Sequence, residues 1–153
     1  MRIFRHIISW GLALFLIFVF IQATIHPLPD PPEGAVKFLD PAGQNIVFQT
    51  IAERSGISLF EPAGRVVTGL LELIAAVCLL LPMVRRFGAF LSALVSGGAV
   101  AMHLSPWLGR EVAVSLDPQT TGTDGGMLFM LAIVMLVASL LLMVVHPGQD
   151  DGR

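Results

Sequence analysis

Apolar residues along this chain gather into four long runs, and polar residues fill the stretches between them. The runs are Ile7 to Ile25, Val66 to Val84, Phe87 to Leu104 and Gly125 to Val145, and together they hold half of the 153 residues. Of the twenty Lys, Arg, Asp and Glu residues, one lies inside a run, and it is Glu72. A buried helix of a soluble protein still shows a charged stripe every turn or two, and these runs show none. Each is about the ~20 residues needed to cross a hydrocarbon layer of roughly 30 Å. The pattern therefore predicts an all-α, membrane-spanning antiparallel four-helix bundle, with no repeat and no second domain. Met83 to Arg86 is too tight a connector to do anything but turn the second and third spans into a hairpin.

The connectors are unequal. The first outer one, residues 26–65, is too long to be a bare loop. Four prolines between Pro27 and Pro32 force it out of the membrane on an extended path. From Pro41 to Ser55, Ile46, Val47, Phe48 and Ile51 share one side of a helix, with Gln44, Gln49, Glu53 and Arg54 mostly on the other. A short amphipathic helix ending at Gly56 is the expectation. Pro62 suits the first turn of the second span, and Pro82 its last. The second outer connector, residues 105–124, carries Pro106-Trp107-Leu108 as an interfacial anchor, and Asp124 or Thr123 can cap the fourth span.

Composition and charge sharpen this picture. Hydrophobic residues make up 55% and charged residues 13%, against roughly 25% charged in soluble domains. Secreted disulfide scaffolds, nucleic-acid binders and disordered tails are excluded on that ground. A net charge of -2 carries no message about partners. Cys78 is alone, and no closely spaced His pair accompanies it, so thiol exchange within the chain and structural zinc or iron–sulfur sites lack ligands. Arg2 to His6 followed by an apolar run resembles a signal peptide. The run ends without a clear Ala-x-Ala site, and an uncleaved first span is expected. Arg2, Arg5, Arg85, Arg86 and Arg153 crowd the short connectors and termini, whereas Lys37, Arg54, Arg65 and Arg110 are spread over the long ones. Positive-inside bias then places both termini in the cytoplasm and both long connectors outside.

The candidate chemistry follows from depth. Arg65 and Glu72 share a stripe of the second span, roughly 20° apart in rotation and about 10 Å apart in depth. An ionised acid within a span costs on the order of 3 kcal/mol, so Glu72 must face the bundle and either pair or hold its proton. His103 and Asp124 are its expected partners. Arg65 sits where the helix dipole is already positive and calls for an anion, with Glu61, Glu72 and Asp124 as candidates. Ser92 and Ser96 read as packing positions among small residues. Gln22 and His26 close the first span on the same side. Gln22, His26, Arg65, Glu72, His103 and Asp124 thus map to the outer half of the bundle, and the inner half shows no ionisable residue within a span. This distribution predicts a polar pocket that opens outward. A channel needs polar groups through the full depth.

The motifs Glu61-Pro62-Ala63-Gly64-Arg65, Gly69, Glu72 and Leu79-Leu80-Leu81-Pro82 resemble the DoxX-like family of small membrane proteins. The likeness continues through Arg86-Phe87-Gly88-Ala89, His103-Leu104 and Asp124-Gly125-Gly126-Met127-Leu128-Phe129, and covers most of the chain from Lys37 onward. The resemblance implies a four-helix membrane bundle and, with it, a bacterial inner membrane. It also implies that Lys37, Arg65, Glu72, His103 and Asp124 occupy the family's recurring polar positions. Most members have no assigned activity. Relatives include a subunit of a thiosulfate to quinone oxidoreductase, part of an oxidative-stress complex and animal proteins that assist receptor assembly. The long polar second connector departs from the family pattern at the pocket mouth. Two functions are left standing. One is a non-enzymatic accessory or assembly subunit of a larger membrane complex with no cofactor, which size and resemblance favour. The other is a subunit that binds a lipophilic ligand such as a quinone, with Glu72 and His103 exchanging protons and Arg65 polarising an oxygen. Transport of a small solute would call for inverted repeats and broken helices, which the sequence lacks.

Overall fold

A computed structural model of the protein describes residues 2 to 146. Met1 and residues 147–153, Arg153 among them, lie outside the described residues. The described chain is all-helical, with no strand: α1 (Arg2–Thr24), α2 (Ile46–Ser55), α3 (Ala63–Leu80), α4 (Arg85–Leu104) and α5 (Met127–Val145), with one 3₁₀ turn at Ser58–Phe60 before α3. Four of them are long and apolar enough to cross a membrane, namely all but α2. They support a multi-pass integral membrane protein.

The four long helices form a ring in which α1 and α4 each pack on both α3 and α5. Leu16 and Phe20 of α1, Ala75, Ala76 and Leu79 of α3, Ala89 of α4 and Ala138 and Leu142 of α5 make the centre. The alanines matter because helices in lipid gain little from burying apolar surface and must instead approach closely. The approach is closest where α3 meets α4. A Cβ added to Gly88 would lie 2.7 Å from the backbone nitrogen of Leu79. Serines add hydrogen bonds across α4 and α5: Ser92 and Ser139 hydroxyls are 2.6 Å apart, and Ser96 and Ser139 each donate back to their own helices at Ser92 and Met135.

Helix ends follow from local chemistry, with small shifts from expectation. The Asn45 side chain accepts from the Phe48 amide at 3.2 Å and starts α2, so this helix begins later than Pro41; Gly56, at φ 72°, ends it. Pro62 stands just before α3 as its N-cap, after a cis Glu61–Pro62 bond. Helix α3 stops at Leu80, one residue before the cap Leu81, so Pro82 lies past the last turn rather than in it. Arg85 is the first residue of α4 and not part of the connector.

After its prolines the first connector returns to the ring. The Lys37 and Phe38 amides donate to the Ala23 and Thr24 carbonyls, which have no partner within α1. The Phe38 ring then sits so close to Gly69 of α3 that a Cβ there would be 2.6 Å away. Ile51 of α2 is buried with Leu108 and Val112 of the second connector. Both connectors therefore cover one end of the ring, the connector end; Leu81 to Val84 mark the other, the hairpin end.

Candidate functional site

Beneath the covered end lies a cavity of about 500 Å³ bounded by all four long helices. Val47, Phe48 and Ile51 of α2, with Phe60 and Leu108, close it toward the connectors. Leu128, Leu131 and Met135 of α5 and Val19 and Phe20 of α1 supply apolar walls. The ionisable side chains in the lining are Lys37, Glu72 and His103. A mostly apolar hollow of this size with a few convergent polar groups is the usual form of a small-molecule site.

Glu72 is 5% exposed and holds two partners. Lys37 Nζ lies 3.1 Å from its Oε1, and the Thr24 hydroxyl donates to its Oε2 at 2.7 Å. The expected pairing with His103 or Asp124 is not found. The reason is that Lys37 reaches Glu72 first, on a connector pinned to the end of α1 by its own backbone amide.

Arg65 stands behind this pair. Its Nε donates to both oxygens of Glu61, at 3.0 and 2.9 Å, and its Nη1 donates to the Lys37 carbonyl. Glu61 also accepts from the Gly43 amide at 3.1 Å. So Arg65 has the anion it required, taken from among the candidates, and it does not line the cavity. Its place is to hold the segment that carries Lys37.

His103 lines the cavity from α4, with its ring tilted against Phe129 at 5.5 Å between centroids. Its Nδ1 is 2.8 Å from the Gly109 carbonyl. A carbonyl can only accept, so Nδ1 carries a proton; in the tautomer with that single proton the acceptor lone pair is on Nε2.

Asp124 does not reach the cavity. Its carboxylate accepts from the amides of Val112 at 2.8 Å, Gly126 at 3.0 Å and Leu128 at 2.9 Å, and so caps α5 and ties the second connector to it. Burial pushes its pKa up. The Leu128, Val112 and Gly126 amides and the nearby His103 outweigh that and hold the carboxyl below the usual Asp value. Gln22 does not line the cavity either, and its buried Oε1 has no hydrogen-bond partner. Of the six residues singled out from sequence, the structure brings together Lys37, Glu72 and His103. Arg65 and Asp124 support them from behind, and Gln22 stands apart.

The hairpin end buries ionisable groups of its own, at the helix ends. Arg85 is 1% exposed. It donates to the Leu79 carbonyl at 2.8 Å and the Ser9 hydroxyl at 3.3 Å, and lies 3.7 Å from the ring centroid of Trp10. His146 joins it through Ser9 at 2.8 Å and the Pro82 carbonyl at 3.1 Å. Burial lowers the His146 pKa and Arg85, Arg86 and His6 lower it further, against the Pro82 hydrogen bond that raises it; the net shift is downward. Counting charges per connector assigned Arg85 to water, because it precedes the apolar run by two residues.

Among the described residues no group of three or more His, Cys, Asp or Glu is placed to hold a metal ion. Comparison with family models, curated proteins and solved structures finds no match to this chain.

Proposed function

We propose that this multi-pass membrane protein holds a lipophilic ligand in the cavity under its connectors, with the ligand's polar head at Lys37 and Glu72. The observation that carries the reading is a buried ion pair facing a mostly apolar hollow of about 500 Å³. Purely structural ion pairs close on themselves, whereas this one borders free space. Lys37 donates hydrogen bonds, Glu72 accepts them, and His103 offers a lone pair at Nε2. A quinone-like head, with carbonyl oxygens on a flat apolar ring, suits that set, and Glu72 and His103 are the groups that would exchange protons with it. Arg65 takes a positioning role here instead of polarising the ligand's oxygen.

The same proposal includes four antiparallel spans, an amphipathic α2 that roofs the cavity, a DoxX-like ancestry and an orientation with the connector end outside the inner membrane. The charge bias of the short connectors supports the orientation, and the ordered motifs from Glu61 to Phe129 support the ancestry. Membership of a larger membrane complex as an accessory subunit, favoured by size and resemblance, requires no cavity. The cavity supports ligand binding.

Titrating the detergent-solubilised protein with a short-chain benzoquinone tests the reading. Trp107 is 6.3 Å from Phe60 of the cavity wall and serves as reporter. Saturable quenching that Trp107→Phe abolishes, weakened about tenfold by Glu72→Gln, is expected; tenfold is ~1.4 kcal/mol, the scale of one charged hydrogen bond. Linear, non-saturating quenching that is unchanged in Glu72→Gln would remove the proposal.

A further inference from the structure

The cavity wall is incomplete on one side. Val67 and Leu71 on α3 and Leu94 on α4 line it, yet all three are also exposed on the outside of the ring. Gly98, one turn beyond Leu94, lines it as well, and a Cβ added there would meet nothing within 4 Å. Nearer the hairpin end the same two helices are in tight contact at Gly88, against Leu79 and Cys78. Helices α3 and α4 thus touch at one end and leave a notch at the level of Gly98. That level falls within the stretches of both helices that are long and apolar enough to lie in a membrane. In a bilayer the notch would face hydrocarbon, whereas α2, Phe60 and Leu108 line the cavity toward the connectors.

We propose that the cavity takes up its ligand sideways from the bilayer, through the α3–α4 seam at Gly98, and that the ligand is an electrically neutral amphiphile with one hydrogen-bonding head. The inference rests on the ligand-binding reading above and adds a route and a charge class to it. Neutrality follows from the polar groups at the inner end of the route. Lys37 and Glu72 are 3.1 Å apart and balance each other. A charged ligand would bring an uncompensated charge into a place of low dielectric, or would have to break the pair and strand one member of it. The seam itself offers Val67, Leu71 and Leu94, which solvate no charge. A neutral alcohol, ketone or quinone passes these side chains at no electrostatic cost and exchanges hydrogen bonds at the end.

The experiment uses the full chain in lipid vesicles with 11-bromoundecanol as probe, a neutral amphiphile whose bromine quenches nearby tryptophan. Trp10→Phe leaves Trp107 as the reporter. Gly98→Phe plugs the notch, and its Cβ meets nothing within 4 Å. Gly11→Phe is the matched control, since Gly11 is exposed on α1, also has nothing within 4 Å of its Cβ position and does not line the cavity. Expected are saturable quenching by the alcohol, none by its sulfonate or trimethylammonium counterparts, and quenching slowed about tenfold by Gly98→Phe relative to Gly11→Phe. Val67→Ala, on the facing helix, widens the seam and speeds the approach, which keeps the test open should Gly98→Phe fold poorly. Equal rates for Gly98→Phe, Val67→Ala and Gly11→Phe with quenching still saturable would overturn the route and leave the pocket standing. Lost amplitude at an unchanged rate in Gly98→Phe leaves residue 98 as cavity wall alone and also overturns the route. Saturable quenching by either charged probe overturns the charge class. No saturable quenching by any probe removes the ligand-binding reading and this inference with it.

Discussion

A carboxylate placed among apolar helices is stable only if something else bears the cost of its charge, and for Glu72 that is Lys37 together with the Thr24 hydroxyl. Glu72→Leu leaves the ammonium next to a cavity with no anion, a loss on the order of 3–5 kcal/mol for a broken buried pair. Lys37→Met costs less, because Glu72 keeps the Thr24 hydroxyl as donor. The double variant Lys37→Met/Glu72→Leu leaves neither charge stranded and is expected to be more stable than Glu72→Leu alone, as read by thermal unfolding in detergent. Losses that simply add would show that the two do not act as a pair. Depth and burial of Glu72 were legible in the sequence, because it is the single charge in four runs. Its partner was not legible from spacing, since Lys37 sits 35 positions away in a connector. The local signal was a lone Lys among Ala35, Val36, Phe38 and Leu39, a short apolar stretch that has reason to fold back. His146 supplies a second test. Its pKa is lowered in the folded protein below the ordinary 6.5, so the unfolded chain binds a proton that the folded chain refuses. Its contribution is full above that ordinary value and is lost as pH falls through it. Unfolding temperatures should therefore drop between about pH 7 and 5, less so in His146→Gln; an equal drop in both would assign the effect elsewhere.

At the level of the element, the contact between α3 and α4 is graded along its length, and glycines mark the gradient. Gly88 touches the α3 backbone, where nothing can yield, whereas Gly98 faces open space. Overpacking a tight site costs roughly 1–3 kcal/mol, while replacing glycine by alanine in an open helical position gains about 0.5–1 kcal/mol. Gly88→Ala is therefore expected to lower the unfolding temperature and Gly98→Ala to leave it equal or raise it. A matched response at both positions would contradict the gradient. The sequence showed small residues repeating along α4 but not which of them were in contact, because Gly88, Ser92 and Ser96 look alike in a helical pattern. The helices themselves were legible to within a few residues, since length and hydropathy decide them. Their ends were less so. Pro82 and Arg85 each moved by a position or two relative to the helix boundary, and for Arg85 that small shift exchanges water for a buried contact with Trp10.

For the whole molecule, the two ends of the ring differ in what they bury. The connector end holds a balanced pair and a cavity, and the hairpin end holds Arg85, close to Arg86 and His146, packed on Trp10 and Ser9. The sequence reading found the first end through Glu72 and missed the second, because an Arg beside an apolar run scores as a topology signal before it scores as a buried group. Both roles point the same way. Guanidinium groups at the hairpin end favour the side of the membrane where anionic headgroups and the positive-inside bias operate, and that side is the cytoplasm. The proposed orientation has a direct check in a Cys78→Ala background. Thr120 lies in the second connector and Met83, 81% exposed, in the hairpin. A membrane-impermeant maleimide is expected to label Thr120→Cys in intact cells and Met83→Cys only after lysis. The reverse pattern would turn the cavity to the cytoplasm and withdraw the outward-facing pocket, while the lateral route at Gly98, which lies within the bilayer in either orientation, would be unaffected.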